Sequence, residues 1–412
     1  MSPGHVTLGP VNSPKTIDLV YFNAGGGHRA AAIALEAVCR DTGRPWHVRL
    51  VNLFEVLDSG NVFSRVTGMR PEDYYNKRLA YGWTRGIGQE LRLLQLMIRL
   101  GHRPLVNTLR RHWTATRPDL VVSLVPNFNR ALHESVAAAL PGTPYMTVLT
   151  DMADYPPHFW IEPGQDQYLV CGTPKALEQA QAAGYDKHRV LAASGMILRP
   201  DFYRQQAIDP REERRKLGLD PDRLTGLVMF GGHGSKSMLS IARNLPDAQL
   251  ILVCGHNEGL ATRLRALPAK SPRLVLGFTP DIPFLMGLAD YFIGKPGPGS
   301  VSEAVQMKLP VLVMHNASTL PQERYNSDWV REAGVGGVFD SSRSIAKGVE
   351  DITRRLPQLR ATLASIENRA VFEIPEFIAR VLEEVEVASR ARAGGVGDDE
   401  GPANYRAGME VT

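Results

Sequence analysis

Short apolar runs alternate with helical patterns along the chain, and this alternation restricts the possible folds more than any other feature of the sequence. Runs rich in Val, Leu and Ile are typical of parallel strands that helices cover on both faces. We expect a first set of strands at Ile17–Phe22, His47–Leu53, Asp119–Val125, Tyr145–Thr150, Gln167–Cys171 and Arg189–Ala193. We expect a second set at Leu224–Phe230, Gln249–Val253, Arg273–Leu276, Tyr291–Ile293 and Val311–Met314. The sequence therefore predicts an α/β fold.

The two sets of strands lie on either side of a charged, proline-punctuated stretch, SGMILRPDFYRQQAIDPREERRKLGL. The 412 residues exceed what one core needs, and such a stretch is typical of an interdomain linker that packs poorly as a core element. We therefore expect two Rossmann-like domains joined by this linker, then a helix and a disordered Gly-rich tail. The expected bounds are 1–197, 198–220 for the linker, 221–372, 373–390 for the helix and 391–412 for the tail.

Three cysteines, Cys39, Cys171 and Cys254, lie far apart in the sequence and in no CxxC spacing. This pattern argues against a disulfide framework and against a structural zinc site, and it favours a reducing compartment. We expect Cys171 and Cys254 to be buried structural thiols. The N-terminal sequence lacks the pattern of a cleaved signal, and no uncharged apolar run approaches the roughly 18 residues that span a bilayer. We expect neither a cleaved signal nor a transmembrane helix.

The positive charge is concentrated in one segment. Eleven Lys or Arg residues stand against three acidic residues between Arg65 and Arg117, whereas the whole chain carries a net charge of +4. Within this segment Arg92, Arg99 and Arg103 have the spacing of one helical face, beside an apolar stripe. Pro104 is expected to break or kink the helix before a second basic piece that ends at Trp113.

Two interpretations of this basic segment remain open. An apolar surface edged by arginines docks on an anionic membrane surface, where each nearby basic residue contributes about 1 kcal/mol. The alternative is a core helix with one solvated face. We expect no nucleic-acid partner, because the chain lacks a repeated basic and aromatic surface.

Glycine-rich turns follow strands at FNAGGGHRAAA, MFGGHGSKSM and GKPGPGSVSEAV, the positions at which open α/β sheets bind ligands. Backbone N–H groups at a helix N-terminus bind phosphate without a metal. None of the turns matches GxGxxG or GxxxxGK[ST], which disfavours a dinucleotide dehydrogenase and a P-loop NTPase. In the first turn, His28 would be presented at the top of the sheet.

The third turn and the PQERYN segment that follows predict a site for a nucleotide sugar. Gly297, Gly299 and Ser300 supply groups for a diphosphate, and Glu303 is placed to accept hydrogen bonds from a ribose diol. Gln322, Glu323 and Asn326 offer amide and carboxylate groups suited to sugar hydroxyls. The alternative is that Glu303 and Glu323 are only favourable charges at helix N-termini.

The glycine-rich motifs, together with VLTDMADYPPHFWI, SGMILRPDFY and PQERYN, resemble glycosyltransferase family 28. The resemblance is greatest to the monogalactosyldiacylglycerol synthases and the bacterial diacylglycerol glucosyltransferases, and it runs in order from Ile17 to Val338. It implies a GT-B fold of two Rossmann-like domains facing a cleft. It also implies a UDP-hexose donor as substrate, a lipid acceptor held by the N-terminal domain, inversion at the anomeric carbon, and no cofactor. The chain would then work peripherally on the cytoplasmic face of a membrane.

The resemblance also implies roles for single residues. His28 would be the base that activates the acceptor, and Phe278 would lie where the family holds the uracil. Asp151, also catalytic, would orient either His28 or an acceptor hydroxyl. The remaining implied positions are Gly26, Gly27, His158 and Trp160 toward the acceptor, and Gly232, Gly234 and Pro298 toward the donor. The one DxD string, Asp220-Pro-Asp222, is more simply a turn than a metal site, and we expect no metal.

Two departures from the family pattern leave alternatives open. His233 replaces a small residue of many relatives, and the N-terminal motif is GGGH rather than GGTGGH. His28 could also serve only as a helix cap, with His158 or His233 as the base. A UDP-sugar transferase acting on a soluble acceptor or on a lipid-linked glycan, and a non-catalytic UDP-sugar-binding subunit, are the competing functions. The sequence does not distinguish galactose, glucose and N-acetylglucosamine as the donor sugar.

Overall fold

The computed structural model describes residues 14–23, 26–58, 87–204 and 208–394, with the side chains of 87–90 and 392–394 left out. The predictions that concern Gly25, residues 65–86 and the tail from 395 lie outside the described residues. Two six-stranded parallel sheets form the framework, and they confirm the α/β fold.

The first sheet has the strand order β2-β1-β3-β4-β5-β6. Its strands are β1 (Lys15–Tyr21), β2 (Trp46–Asn52), β3 (Leu120–Ser123), β4 (Tyr145–Val148), β5 (Tyr168–Cys171) and β6 (Val190–Ala192). β3, β4 and β5 are buried along their whole length, as expected for parallel strands that are covered on both faces.

The second sheet has the order β12-β11-β10-β7-β8-β9, the arrangement of a doubly wound nucleotide-binding sheet. Its strands are β7 (Thr225–Met229), β8 (Gln249–Val253), β9 (Arg273–Leu276), β10 (Tyr291–Gly294), β11 (Val311–Met314) and β12 (Gly336–Phe339). The sequence analysis missed β12. A Cβ atom at Gly336 would lie 1.8 Å from the backbone oxygen of Val311, so a glycine allows the close pairing of β12 with β11.

Helices connect the strands and cover the sheets. Those associated with the first sheet are α1 (Gly27–Asp41), α2 (Leu53–Leu57), α3 (Ile87–Leu100), α4 (His102–Thr116), α5 (Asn129–Ala139) and α6 (Pro174–Ala182). Those that follow are α7 (Pro210–Lys216), α8 (Ser237–Asn244), α9 (Glu258–Arg265), α10 (Ile282–Gly287), α11 (Pro298–Gln306), α12 (Arg324–Glu332), α13 (Ile345–Arg354), α14 (Leu356–Ser365) and α15 (Ala370–Gly394). Short 3-10 turns occupy Pro200–Tyr203 and Pro321–Glu323.

The stretch between the two sheets is more ordered than expected. Leu198, Phe202 and Leu219 are buried in one hydrophobic cluster with residues of the second sheet. The Arg214 guanidinium is also buried, and it donates to Asp290 Oδ2 at 2.8 Å. The expectation that this stretch packs poorly as a core element was wrong, because its apolar residues form part of the core beneath the second sheet.

The last helix begins before the expected position. α15 starts at Ala370, contains Pro375, and packs against α1 and the first sheet through Val371, Ile374 and Ile378. The chain therefore returns from the second sheet to the first. Asn368 Nδ2 donates to Met196 O at 2.9 Å and thereby ties this return to the outgoing stretch.

The basic segment forms two helices, as the expected break requires, but the break lies at Gly101 and not at Pro104. α3 ends at Leu100 and α4 begins at His102, with Gly101 between them. The expected break at Pro104 was wrong, because a proline in the first turn of α4 removes no intrahelical hydrogen bond. Arg103 consequently lies on α4, whereas Arg92 and Arg99 lie on α3.

Trp113 does not end an exposed surface. Its side chain is fully buried, and Nε1 donates to Ser135 Oγ at 2.8 Å. Trp113 therefore holds α4 against α5 as part of the core. None of the helices in the described ranges combines the length and apolar character needed to cross a bilayer. The thiols of Cys39, Cys171 and Cys254 are all buried, which confirms the expectation for Cys171 and Cys254.

Candidate active site

Each sheet has one point at which the strand order reverses, and ligands of open α/β sheets bind beside such points. In the first sheet this point lies between β1 and β3, and in the second between β7 and β10. His28 follows β1 and Lys295 follows β10, so both side chains lie at the carboxyl ends of these strands.

His28 is the second residue of α1. Gly26, which immediately precedes the helix, has a φ of +82°, a left-handed conformation that favours glycine. Among the described residues, no atom would lie within 4 Å of a Cβ at Gly26 or Gly27. The backbone of these two glycines next to His28 is therefore accessible.

Thr150 fixes the orientation of the imidazole. Its Oγ1 lies 3.0 Å from His28 Nδ1, and it follows β4 by two residues. The sequence analysis did not select Thr150, and it expected Asp151 to take this position. The sequence signal for Thr150 was its position, since its hydroxyl lies two residues beyond a buried strand.

Burial lowers the pKa of His28 to about 4, and a hydrogen bond with the backbone of Leu124 opposes part of this effect. Removing an imidazolium from water is unfavourable, so the neutral form is stabilised. His28 is therefore a free base across the physiological range, as a proton acceptor must be.

We expect a histidine NMR titration to show the depressed pKa of His28 directly. The resonance that disappears in His28→Gln should titrate near pH 4, more than two units below the usual value of about 6.5 for histidine. The imidazole is then neutral above about pH 5 and becomes protonated only as the pH falls through 4. A midpoint near 6.5 would show that the ring is solvated and would contradict this description of the site.

Trp160 forms the wall behind His28. The two ring centroids are 5.9 Å apart, and the indole is fully buried. Its Nε1 donates to Asp151 Oδ2 at 2.9 Å, while Asn129 Nδ2 donates to its backbone oxygen at 3.0 Å. A contact of Trp160 with a membrane surface is excluded, because none of the side chain is exposed.

Asp151 couples the two halves of the site. Burial raises its pKa to about 7, although the hydrogen bond from Trp160 acts in the opposite direction. Glu323 raises this pKa further and Lys295 lowers it, which shows that both charged groups of the second sheet act on Asp151. Tyr155 and Tyr325, with ring centroids 6.1 Å apart, also bring the two halves together.

His158 lies on the exposed side of the same loop, with a φ of +63°. Its backbone N–H donates to Asp154 Oδ2 at 3.0 Å, and Trp160 N–H donates to Asp154 Oδ1 at 2.6 Å. Asp154 therefore shapes the loop, a role that the sequence analysis missed. The structure provides no hydrogen bond between His158 and His28.

The third glycine-rich turn, for which the sequence predicts a donor diphosphate and which we call the donor loop, begins where β10 ends. Gly297 caps α11, whose first residues are Pro298, Gly299 and Ser300, and no acidic side chain lies in its first turn. The N–H groups of Gly299 and Ser300 belong to the unpaired donors of the helix N-terminus, where anions bind. This geometry suits the expected diphosphate.

Lys295 stands beside this loop, and the sequence analysis did not select it. Its Nζ lies 2.5 Å from Glu323 Oε1, and the Glu323 side chain is 9% exposed. Its Cε is 3.8 Å from the position of a Cβ at Gly231 and 3.3 Å from that at Gly297. The end of the Lys295 side chain thus lies between the two glycine-rich loops of the second sheet. In the sequence, the available signal was a lysine inside the glycine-rich turn GKPGPG.

The three polar residues of PQERYN have different environments. Asn326 is fully buried, and its Nδ2 donates to Pro296 O at 2.7 Å, so it supports the donor loop from behind. Glu323 pairs with Lys295. Within the described part of the chain, Gln322 Oε1 and Asn326 Oδ1 are buried without a hydrogen-bond partner. The three side chains therefore do not form one row facing a sugar.

Glu303 lies in α11, half-buried. Burial raises its pKa to about 7, and Arg199 opposes this shift. Phe278 is 62% exposed and stacks on His256, with centroids 4.2 Å apart and planes at 13°. An exposed ring of this kind offers a face to a nucleobase, and His256 is a further aromatic residue that the sequence analysis missed.

The second glycine-rich turn is held by backbone contacts. Gly232 O accepts a hydrogen bond from His256 N at 2.9 Å. Gly234 has a φ of +59°, and a Cβ there would lie 2.8 Å from Leu260 Cδ2. His233 is exposed, with its ring 5.9 Å from that of His256. Asp220 accepts from the backbone N–H of Asp222, which makes that pair the expected turn.

The outer face of α3 is apolar and exposed. Leu93, Leu96, Met97 and Leu100 are 51–78% exposed, and Leu94 is 38% exposed. Arg92, Arg99 and Arg103 are also exposed. An exposed apolar patch beside basic groups agrees with the docking interpretation of the segment, and a helix with one solvated face stays the alternative interpretation.

Plant monogalactosyldiacylglycerol synthases match most of the chain in sequence. It is 28% identical over 375 residues to the chloroplastic monogalactosyldiacylglycerol synthase of Spinacia oleracea, covering 82% of this chain and 67% of the relative. It is also 28% identical over 363 residues to monogalactosyldiacylglycerol synthase 1 of Arabidopsis thaliana, covering 82% and 64%. The chain thus spans about two thirds of the length of these relatives. No protein-family model matches it.

Solved structures share the fold. The Acinetobacter baumannii MurG structure superposes with a TM-score of 0.59 at 13% identity, covering 89% of this chain and all of that one. Anabaena Alr3699/HepE, solved in complex with UDP, superposes with a TM-score of 0.50 at 16% identity over 90% of this chain and all of that one. The chain is therefore a homologue of the monogalactosyldiacylglycerol synthases over most of its length, and it has the GT-B fold that solved glycosyltransferases share.

Proposed function

We propose that this protein transfers a hexose from a UDP-sugar to a hydroxyl of a membrane lipid, diacylglycerol, with inversion at the anomeric carbon. The observation that carries the proposal is a neutral, oriented His28 in one half of the site and a Lys295 ammonium beside a helix N-terminus in the other. The relatives named as monogalactosyldiacylglycerol synthases support the lipid acceptor, and the UDP complex of a structural neighbour supports the donor.

The reaction is a single displacement. His28 removes the proton of the lipid hydroxyl as that oxygen forms a bond to the anomeric carbon, and the bond from this carbon to the β-phosphate oxygen breaks. UDP leaves as an anion, and His28 holds the proton. General-base assistance of this kind contributes about 10²–10⁴-fold.

The leaving diphosphate gains negative charge during this step. We propose that this charge is stabilised by Lys295, by the N–H groups of Gly299 and Ser300 and by the positive end of the α11 dipole. Groups that are held by the fold before the reaction need little reorganisation when the charge develops. A metal is not needed for this account.

The exposed face of α3 supports a membrane surface as the partner. Its leucines match the acyl boundary of a bilayer, and its arginines match anionic headgroups. We propose that the protein works peripherally, on the cytoplasmic face of the membrane.

The test of the proposed function is product formation. The purified protein is incubated with anionic vesicles that contain diacylglycerol and, in separate reactions, UDP-galactose, UDP-glucose or UDP-N-acetylglucosamine. We expect UDP release together with a glycolipid from one donor, which also names the sugar. UDP binding without any lipid product would overturn the proposal in favour of a soluble acceptor or a non-catalytic binding protein.

Membrane docking has its own prediction. Replacing Leu96 and Leu100 together by serine should weaken binding to anionic vesicles about 100-fold, since each buried leucine contributes about 1.5 kcal/mol. Vesicle binding of the unaltered protein should also weaken with salt. Sedimentation with vesicles measures both effects. The control is Val387→Ser, which alters an exposed apolar residue of α15. Equal vesicle binding by the double variant and the control would contradict the assignment of α3.

A further inference from the structure

The inner face of α3 packs on the structure that surrounds His28. Leu91, Gln95 and Ile98 are the half-buried residues among positions 91–100, and their spacing places them on one side of the helix. Leu91 packs against the hydrophobic cluster that contains Phe159 and Trp160. The helix with the exposed apolar surface thus packs on its other side against the cluster that contains Trp160.

Ile98 extends this contact toward the other side of His28. It packs against the cluster that contains Phe22 and Phe128. The Phe22 ring lies 6.4 Å from the His28 ring in an edge-on arrangement, and it lies 5.4 Å from the Phe128 ring. The inner side of α3 therefore packs against the two hydrophobic clusters to which the aromatic residues on either side of the imidazole belong.

A polar contact lies between these two apolar contacts. Gln95 Nε2 donates to Asn127 Oδ1 at 3.1 Å. Asn127 has a φ of +66°, and its backbone N–H donates to Phe159 O at 2.6 Å. Asn127 also lies three residues after Leu124, whose backbone bonds with His28. Gln95 thus joins α3 to the segment 124–127, which contacts His28 through the backbone of Leu124.

We propose, on the basis of the proposed function, that Gln95 is a positioning residue that sets the segment 124–127, and with it His28, relative to the bilayer, so that the acceptor reacts while it is still embedded in the membrane. The outer face of α3 fixes the helix at the headgroup level. The Gln95–Asn127 hydrogen bond then fixes the height and angle of His28 above the lipid hydroxyl. The substrate is accordingly a lipid presented by a surface, and not a lipid extracted as a monomer.

The test compares Gln95→Leu with the unaltered protein on two acceptors. With diacylglycerol in anionic vesicles we expect turnover to fall about 5- to 10-fold, the effect of one lost hydrogen bond. With a short-chain diacylglycerol dispersed as monomers, turnover should equal that of the unaltered protein. Vesicle binding and UDP affinity should be unchanged, because neither the exposed face of α3 nor the donor loop is altered.

Two further variants complete the experiment. Gln95→Glu should retain turnover on vesicles, because the Asn127 amide can turn over and donate to the carboxylate. Gln358→Leu replaces an exposed glutamine of α14 and should have no effect. An equal loss of turnover on both acceptors would assign Gln95 a general structural role and overturn the inference, as would normal turnover of Gln95→Leu on vesicles. If the unaltered protein forms no glycolipid on either acceptor, the proposed function itself has failed, and the inference fails with it.

Discussion

His28→Ala is expected to lower the rate of glycolipid formation by about 10²–10⁴-fold and to leave the affinity for UDP nearly unchanged. The loss follows from removal of the one group in the acceptor half that is neutral, oriented by Thr150 and placed at the reversal point of the first sheet. UDP affinity is retained because the donor loop belongs to the second sheet. Calorimetric titration with UDP and initial rates on vesicles measure the two quantities.

The controls are the two other histidines considered as the base. His158 is exposed on its loop, and His233 lies beside His256 on the second sheet, so alanine at either position should leave most of the turnover. Thr150→Val keeps the size of the side chain and removes the hydroxyl, and it should lower the rate less than His28→Ala does. Normal turnover by His28→Ala would remove His28 from the mechanism.

Lys295→Ala should weaken UDP binding about 10- to 100-fold, and the turnover at fixed donor concentration should fall with it. A hydrogen bond to a charged group contributes about 1.5–3 kcal/mol, and the substitution also leaves the Glu323 carboxylate without its partner near the diphosphate site. The dissociation constant of UDP, measured by calorimetry, gives the size of the effect.

Lys270→Ala serves as the matched control, because this lysine of the same half of the chain is 71% exposed and pairs with an equally exposed Asp247. Exposed pairs contribute little, so UDP affinity and thermal stability should be unchanged. Lys295→Arg keeps the charge and should recover part of the binding. If Lys295→Ala binds UDP as tightly as the control does, Lys295 does not contact the diphosphate.

Much of the fold was predictable from the sequence, because both sheets are parallel and buried. Their strands are continuous apolar runs, and these were recognised at Gln249–Val253, Arg273–Leu276 and Val311–Met314 with the observed bounds. β12 was missed because its glycines, needed where the backbone of Gly336 approaches Val311, remove the apolar signal of a strand.

The two errors in the basic segment have different causes. The spacing of Arg92, Arg99 and Arg103 was treated as that of one continuous helix, although Gly101 followed by Pro104 is a local signal of a helix C-terminus. Trp113 was assigned to a surface from its type and its basic neighbours. Its burial depends on Ser135, which lies 22 residues away, and such a contact is not visible in a local pattern.

The candidate site was predictable where a motif places a residue at a strand end, as for His28, Gly297 and Phe278. It was not predictable where the role depends on contacts between distant segments. Thr150 rather than Asp151 contacts the imidazole, and Asp151 receives its hydrogen bond from Trp160. Asn326 supports the donor loop from the core, whereas its motif alone indicated a sugar contact.

The anomeric configuration of the glycolipid tests the central claim most directly. The protein is incubated with diacylglycerol vesicles and an α-linked UDP-hexose, and the product lipid is isolated and examined by proton NMR at the anomeric position. Direct attack by a lipid hydroxyl that His28 has deprotonated predicts a β-linked hexose on that hydroxyl. An α-linked product would contradict the single displacement, and the absence of any hexosyl lipid would contradict lipid glycosylation altogether.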